Sequence, residues 1–233
     1  MTRKGLVVLA VAVCLVVAYA DEPHPEMATY QFVLMRRAPD APPKGERAIQ
    51  RIQEDRLAWL EKLFAENQAV LAGSLDGGGE LRGAMVLDVG SVEAAREVME
   101  VDPRVAAGLI DPEIHTLWAA KGVIERPDSL ARQSKCMLGL FMRPDNAPDL
   151  SEEESAELQA GHLANIEAMA ASGDLVWAGP TGDDGKLRGI LVFRTLNGER
   201  LRELIARDPA IKIGRLGVEL YPWHVPTGTL PTP

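Results

Sequence analysis

Residues recur along this chain at a fixed offset of 106, and that spacing limits its fold more than any other feature. Ala72-Gly73 returns as Ala178-Gly179, Leu81-Arg82-Gly83 as Leu187-Arg188-Gly189, Asp102-Pro103 as Asp208-Pro209, and Gly108 as Gly214. Ala41-Pro42 and Leu57-Ala58 meet Ala147-Pro148 and Leu163-Ala164 at the same offset, without a gap. Solenoid units run to roughly 20–50 residues, so this period points to a doubled domain. Two copies of about a hundred residues each are ordinary domain sizes. Matched positions report what the fold requires, and mismatched ones report where function can differ.

Each copy reads as β-α-β-β-α-β. Apolar runs at 30–35 and 136–142 open the copies as strands, and Pro-rich loops follow at 38–43 and 144–148. Long helices are expected from about Glu46 and Ser151, the second with Ser151 and Glu154 in capping-box spacing. Ile49, Ile52, Leu60 and Leu63 recur at helical spacing, as do Leu158, Ile166 and Met169. A hairpin then pairs 69–73 with 81–87 around Asp76-Gly77-Gly78-Gly79, and 175–179 with 187–193 around Gly182-Asp183-Asp184-Gly185. These Gly/Asp clusters are turn chemistry; they lack the helix N-terminus that phosphate loops use. Second helices over 92–101 and 199–207, an Asp-Pro step and last strands ending near Leu117 and Trp223 complete the copies.

This order is ferredoxin-like. A four-stranded sheet with helices on one face needs cover on the other. Two copies, 28–124 and 134–226, are therefore expected to pack sheet to sheet as an α+β barrel within one chain. The polar, Pro-broken stretch 125–133 is expected to link them.

Residues 1–20 read as a signal peptide. Arg3 and Lys4 precede an apolar run from Gly5, and Ala18-Tyr19-Ala20 offers the small residues of a cleavage site. The expected location is secreted or periplasmic, without stable membrane association once the chain is cut near Ala20-Asp21; an uncleaved membrane anchor is the alternative. Cleavage leaves Cys136 as the sole cysteine, so no intramolecular disulfide can form. It removes two of the 25 basic residues and none of the 34 acidic ones, taking the net charge from −9 to −11. Such acidity argues against a nucleic-acid partner. Four histidines at unrelated spacings give no metal pattern. Neither a metal nor a cofactor is expected.

One polar position interrupts each apolar helix stripe. His162 lies four residues from both Leu158 and Ile166, and Arg56 occupies its equivalent between Ile52 and Leu60. A half-buried cation needs a partner, and Asp102 for Arg56 and Asp208 for His162 are the candidates. Each aspartate also fits a plain helix N-cap before Pro, and Arg56 can equally snorkel beside Trp59. Only His exchanges a proton near neutrality, so acid–base chemistry falls to the second copy. Arg82 and Arg188 share one strand position; they either bind an anionic ligand or meet the acidic surface.

His162-Leu163, Leu175-Val176-Trp177-Ala178-Gly179-Pro180, Asp208-Pro209 and the closing Tyr221-Pro222-Trp223 resemble the YCII-related domain family. The resemblance spans nearly the whole chain after residue 27, as two copies. It implies a dimeric α+β barrel fold and a His–Asp active site at His162 and Asp208, with Gly179 and Pro180 shaping a pocket wall. The first copy departs from the pattern with Arg56 for the His and Ser74 for the Pro. One branch of that family eliminates chloride from a chlorinated hydroxyquinol without a cofactor.

Two function classes follow. One is a cofactor-independent lyase or isomerase acting on a small polar or aromatic molecule, with His162 as acid/base and Asp208 orienting it. The other is a non-catalytic small-ligand-binding or structural module. A haem-degrading or quinone-oxidising monooxygenase rests on fold analogy alone. The partner expected is a small molecule of unspecified identity, and a homo-oligomer is allowed.

Overall fold

The computed structural model describes residues 26–230 apart from Gly78, 124–126, Asp128 and 183–184. The expected signal segment, part of the linker and part of both hairpin turns lie outside the described residues.

The first half runs β1 (Met27–Arg37), α1 (Glu46–Ala65), β2 (Ala69–Leu75), β3 (Leu81–Leu87), α2 (Val92–Glu100), α3 (Pro103–Ala106) and β4 (Ile110–Ala120). The second runs β5 (Gln133–Met142), α4 (Glu152–Ala171), β6 (Leu175–Pro180), β7 (Leu187–Phe193), α5 (Gly198–Ile205), α6 (Pro209–Lys212) and β8 (Gly217–Pro226). The start of α4 has the expected capping box: Ser151 Oγ accepts from Glu154 N–H, and Glu154 accepts from Ser151 N–H. Gly45, at the start of α1, has no side chain with which to do this.

The strands form one eight-stranded antiparallel sheet in the order β4-β1-β3-β2-β8-β5-β7-β6. It is nearly closed into a barrel. Instead of two sheets merely facing each other, the halves join side by side at two seams. At one, Ser74 pairs with His224 and Leu75 with Trp223, and Asp76 N–H donates to the Pro222 carbonyl. At the other, Leu117 bridges Thr181, and Gly182 N–H donates to the Thr116 carbonyl. These contacts use equivalent positions of the two halves, since Asp76 and Gly182, like Thr116 and Pro222, are 106 apart.

The seams explain why Ala-Gly occurs twice. A Cβ at Gly73 would overlap the His224 carbonyl, and one at Gly179 would overlap the Trp118 carbonyl. Glycine is what lets the backbones meet.

Side chains from all eight strands fill the barrel interior, among them Phe32, Leu71, Leu117, Leu138, Trp177, Val192 and Trp223. Two further apolar layers lie outside it. One packs Leu60, Leu63 and Met99 on Val33 and Met85; the other packs Ile166, Met169 and Leu201 on Leu191 and Phe193. Cys136 belongs to the interior, its thiol directed at the Trp223 carbonyl, and burial pushes that thiol up to about 12. It is not a nucleophile at neutral pH.

Candidate functional site

The helix stripe places His162 on the sheet-facing side of α4, where its ring meets Phe141 of β5 edge-on, at 5.2 Å between centroids and 64° between planes. Gly161 beside it lets the helix approach Pro209, whose ring a Cβ there would strike. That approach brings His162 onto the start of α6. His162 Nδ1 lies 2.6 Å from Asp208 Oδ2, with the carboxylate fully buried and the imidazole 13% exposed. Asp208 Oδ1 accepts from Ala210 N–H at 2.9 Å, so the aspartate caps α6 and holds the histidine at once. With Asp208 ionised, Nδ1–H donates and Nε2 becomes the nitrogen able to exchange a proton. Among the described residues no hydrogen bond engages Nε2.

The equivalent site in the first half is closed by arginine. Asp102 also caps its short helix, accepting from Arg104 N–H at 2.7 Å. The Arg104 guanidinium turns back onto both carboxylate oxygens, at 3.3 and 3.0 Å. Arg56 is left 3.7 Å from Asp102, its Nε buried without a hydrogen bond. Burial, then the neighbouring Arg104 charge, pushes Arg56 down to about 10, partly offset by Asp102. It still carries its charge at neutral pH and has no proton to exchange. No sequence pattern singles out Arg104, although Ala210 stands 106 residues on from it.

The other candidates separate by position. Gly179 lies in the second seam, and Pro180 pairs with Gly189 next to it. Arg82 and Arg188 are both half-buried, each just before the glycine at which its strand's register shifts. A groove of about 320 Å³ lies between α1 and α2 of the first half and is lined by Trp59, Leu63, Val89 and Val98. Among the described residues no group of three or more His, Cys, Asp or Glu is placed to hold a metal. No described helix is long and apolar enough to cross a membrane.

A second polar group lies on β4 and β8, facing the barrel interior. Glu113 and His115 stand opposite the barrel-lining Leu34 and Phe32, as Glu219 and Tyr221 stand opposite Leu140 and Leu138. Glu113 accepts from Arg36 at 2.7 Å and lies 3.0 Å from His115 Nε2, and Tyr221 donates to Glu219 at 2.6 Å. The His115 hydrogen bond, followed by Arg36, pulls Glu113 down to about 2 against its partial burial. Burial and then Glu219 push Tyr221 up to about 12. The alignment of His115 with Tyr221 is legible in the repeat; their facing a common interior is not.

The fold is that of the dimeric α+β barrel proteins. Similar solved structures are chlorite dismutase from Candidatus Nitrospira defluvii, with TM-score 0.56, 11% identity and coverage of 86% of this chain and 92% of that one, and a heme-binding protein from Thermus thermophilus, with TM-score 0.53, 11% identity and coverage of 88% and 94%. At such identity the likeness is one of fold. No family model matches the chain. The derivative of benzaldehyde biosynthesis cluster protein C from Emericella nidulans is 30% identical over 90 residues, which is 35% of this chain and 90% of that protein. The chain belongs to the family of that protein. The matched length is close to one half of the barrel.

Proposed function

We propose that the protein is a cofactor-independent lyase or isomerase that moves a proton on a small polar or aromatic molecule, using His162 and Asp208. The carrying observation is the 2.6 Å contact between His162 Nδ1 and a buried Asp208 that is itself fixed by the Ala210 N–H. In this reading Asp208 sets the tautomer and ring orientation, and Nε2 takes a proton from substrate and returns it elsewhere. The chain is then a pair of ferredoxin-like copies of a YCII-related domain, 28–124 and 134–226, joined through 125–133. The identical element order of the halves and the 106-residue offset support that history. A signal peptide at 1–20 would deliver the protein to the periplasm or the outside. The alternative is a non-catalytic small-ligand-binding or structural module, in which His162 and Asp208 are a packing pair as Arg104 and Asp102 are in the first half.

The substrate need not be identified for this to be tested. A panel of cyclic ketones and phenols is incubated in D2O, and deuterium uptake at carbon is read by mass spectrometry. Uptake that depends on the wild-type protein and vanishes in His162→Ala is the expected result. Uptake that survives the substitution, in a variant with unchanged circular dichroism, removes His162 from the chemistry.

A further inference from the structure

Arg56 takes a charge into a largely buried place without the hydrogen bonds that usually accompany one. Its side chain is 19% exposed, one helical turn before the buried Leu60 of α1. A guanidinium has five N–H donors. Among the described residues none of those on Arg56 makes a hydrogen bond. Asp102 Oδ2 lies 3.7 Å from its Nε, which is beyond hydrogen-bonding reach.

Asp102 is engaged elsewhere. Its Oδ1 accepts from Arg104 N–H at 2.7 Å and from Arg104 Nε at 3.3 Å, and its Oδ2 accepts from Arg104 Nη2 at 3.0 Å. The charges do not cancel either. Arg56 and Arg104 are two cations, and among the described residues Asp102 is the one carboxylate in ion-pair reach of either. Burial, then Arg104, works against the Arg56 charge, and Asp102 offsets them only in part.

The second half has no such excess. His162 and Ala210 stand at the equivalent positions, and Asp208 meets the imidazole at 2.6 Å. Trp59, one turn beyond Arg56 on the same helix face, buries an unpaired indole N–H. Its equivalent Asn165 also buries an unpaired N–H, so that feature belongs to both halves. The unbonded guanidinium belongs to the first alone. Of the three Arg56 nitrogens, Nε is the one sealed from solvent, and the terminal two can be reached from outside.

We infer that Arg56, with Arg104 beside it, binds a small oxyanion, a carboxylate or a phosphate, at its terminal nitrogens. The planar fork of a guanidinium matches either group in geometry as well as charge. The anion offsets the second cation and gives Arg56 the acceptors that Asp102 does not. This site is separate from the proposed His162–Asp208 chemistry and does not depend on it.

The experiment titrates sodium acetate and inorganic phosphate separately into the folded protein, with chloride holding ionic strength constant. Arginine guanidinium and Trp59 indole resonances are followed by NMR in wild type, Arg56→Met and Arg56→Lys, and thermal unfolding confirms that each variant is folded. Saturable shifts at Arg56 and Trp59 are expected with at least one anion. Affinity read at Trp59 should fall about tenfold in Arg56→Met and less in Arg56→Lys, which keeps the charge but not the fork. Saturation by acetate alone identifies a carboxylate ligand, by phosphate alone a phosphoryl one, and either supports the inference. No saturable shift with either anion overturns it, as does undiminished affinity in Arg56→Met. Should neither variant fold, the wild-type titration decides, since shifts spread evenly over the arginines report only ionic atmosphere and also overturn it.

Discussion

Asp102 and Asp208 occupy the same place in the two halves, and they are used differently. Both are fully buried, both precede proline, and both cap a four-residue helix. The first is surrounded by two guanidiniums, one of them bonded to both of its oxygens. The second keeps one oxygen for the cap and offers the other to an imidazole. Capping is therefore the shared duty of the position, and the His162 contact is an addition to it. Two positions differ between the sites, Arg104 against Ala210 and Arg56 against His162. Arg104 folds back over its own cap, whereas Ala210 leaves room for a partner from α4. Charge pairing in the first half takes the place of a group that can exchange protons near neutrality.

The largest test of this comparison is at the seams, which both halves need equally. Gly73→Ala and Gly179→Ala each force a Cβ into a facing carbonyl, and each is expected to lower stability by about 3 kcal/mol, read by denaturant unfolding. Gly73→Ala should be the worse, because the His224 carbonyl is closer than that of Trp118. A mild effect at Gly179 alone would show that the second seam yields and that the halves are not equivalent there.

Next in size is Arg104→Ala, which leaves the Asp102 carboxylate to Arg56 and should cost about 2 kcal/mol. Combining it with Arg56→His rebuilds the second-half arrangement in the first. Ring nitrogen spectra matching those of His162 would establish that these two positions account for the difference. A ring without a bond to Asp102 would show that α1 lacks the close approach that Gly161 gives α4.

The smallest effect compares Glu113 with Glu219 at the interior-facing polar group. The folded-state value of Glu113, about 2, lies below its ordinary 4.5. Its contribution to stability is therefore complete above pH 4.5 and is lost as pH falls through about 2. Glu113→Gln should lower Tm near about pH 6 by the equivalent of under 1 kcal/mol, with most of that effect gone near about pH 2. The side chain is 40% exposed, so solvent screening keeps the figure small.

Local chemistry was the legible part. Ser151 and Glu154 announce the start of α4, the apolar runs give the strands of both hairpins, and Leu158-His162-Ile166 sets the histidine toward the sheet. The pairing of His162 with Asp208 follows from the same offset that joins Arg56 to Asp102. What stayed hidden arises from contacts between the halves or across strand ends. Gly179 and its neighbour Pro180 read as a pocket wall, but it is the Trp118 carbonyl that demands the glycine, and Trp118 is 61 residues away. Arg104 sits two residues from the aspartate that it occupies, yet nothing local requires its side chain to turn back.

The two seams that close the barrel are fastened unequally. Beside the first, Asp76 bonds both His224, at 2.8 Å, and Lys135, at 3.1 Å. At the second, the equivalents are Gly182, Trp118 and Thr29, and the Trp118 ring simply lies over Gly182. A nearly closed ring of strands shortens the terminal rows of unpaired amides and carbonyls, and such rows are what recruit foreign strands into aggregates. The cover of β4 and β6 then depends on the weaker fastening. Parting Leu117 from Thr181 would create two sticky borders at once, β4 and β6, both inside a single molecule whose other strands remain paired.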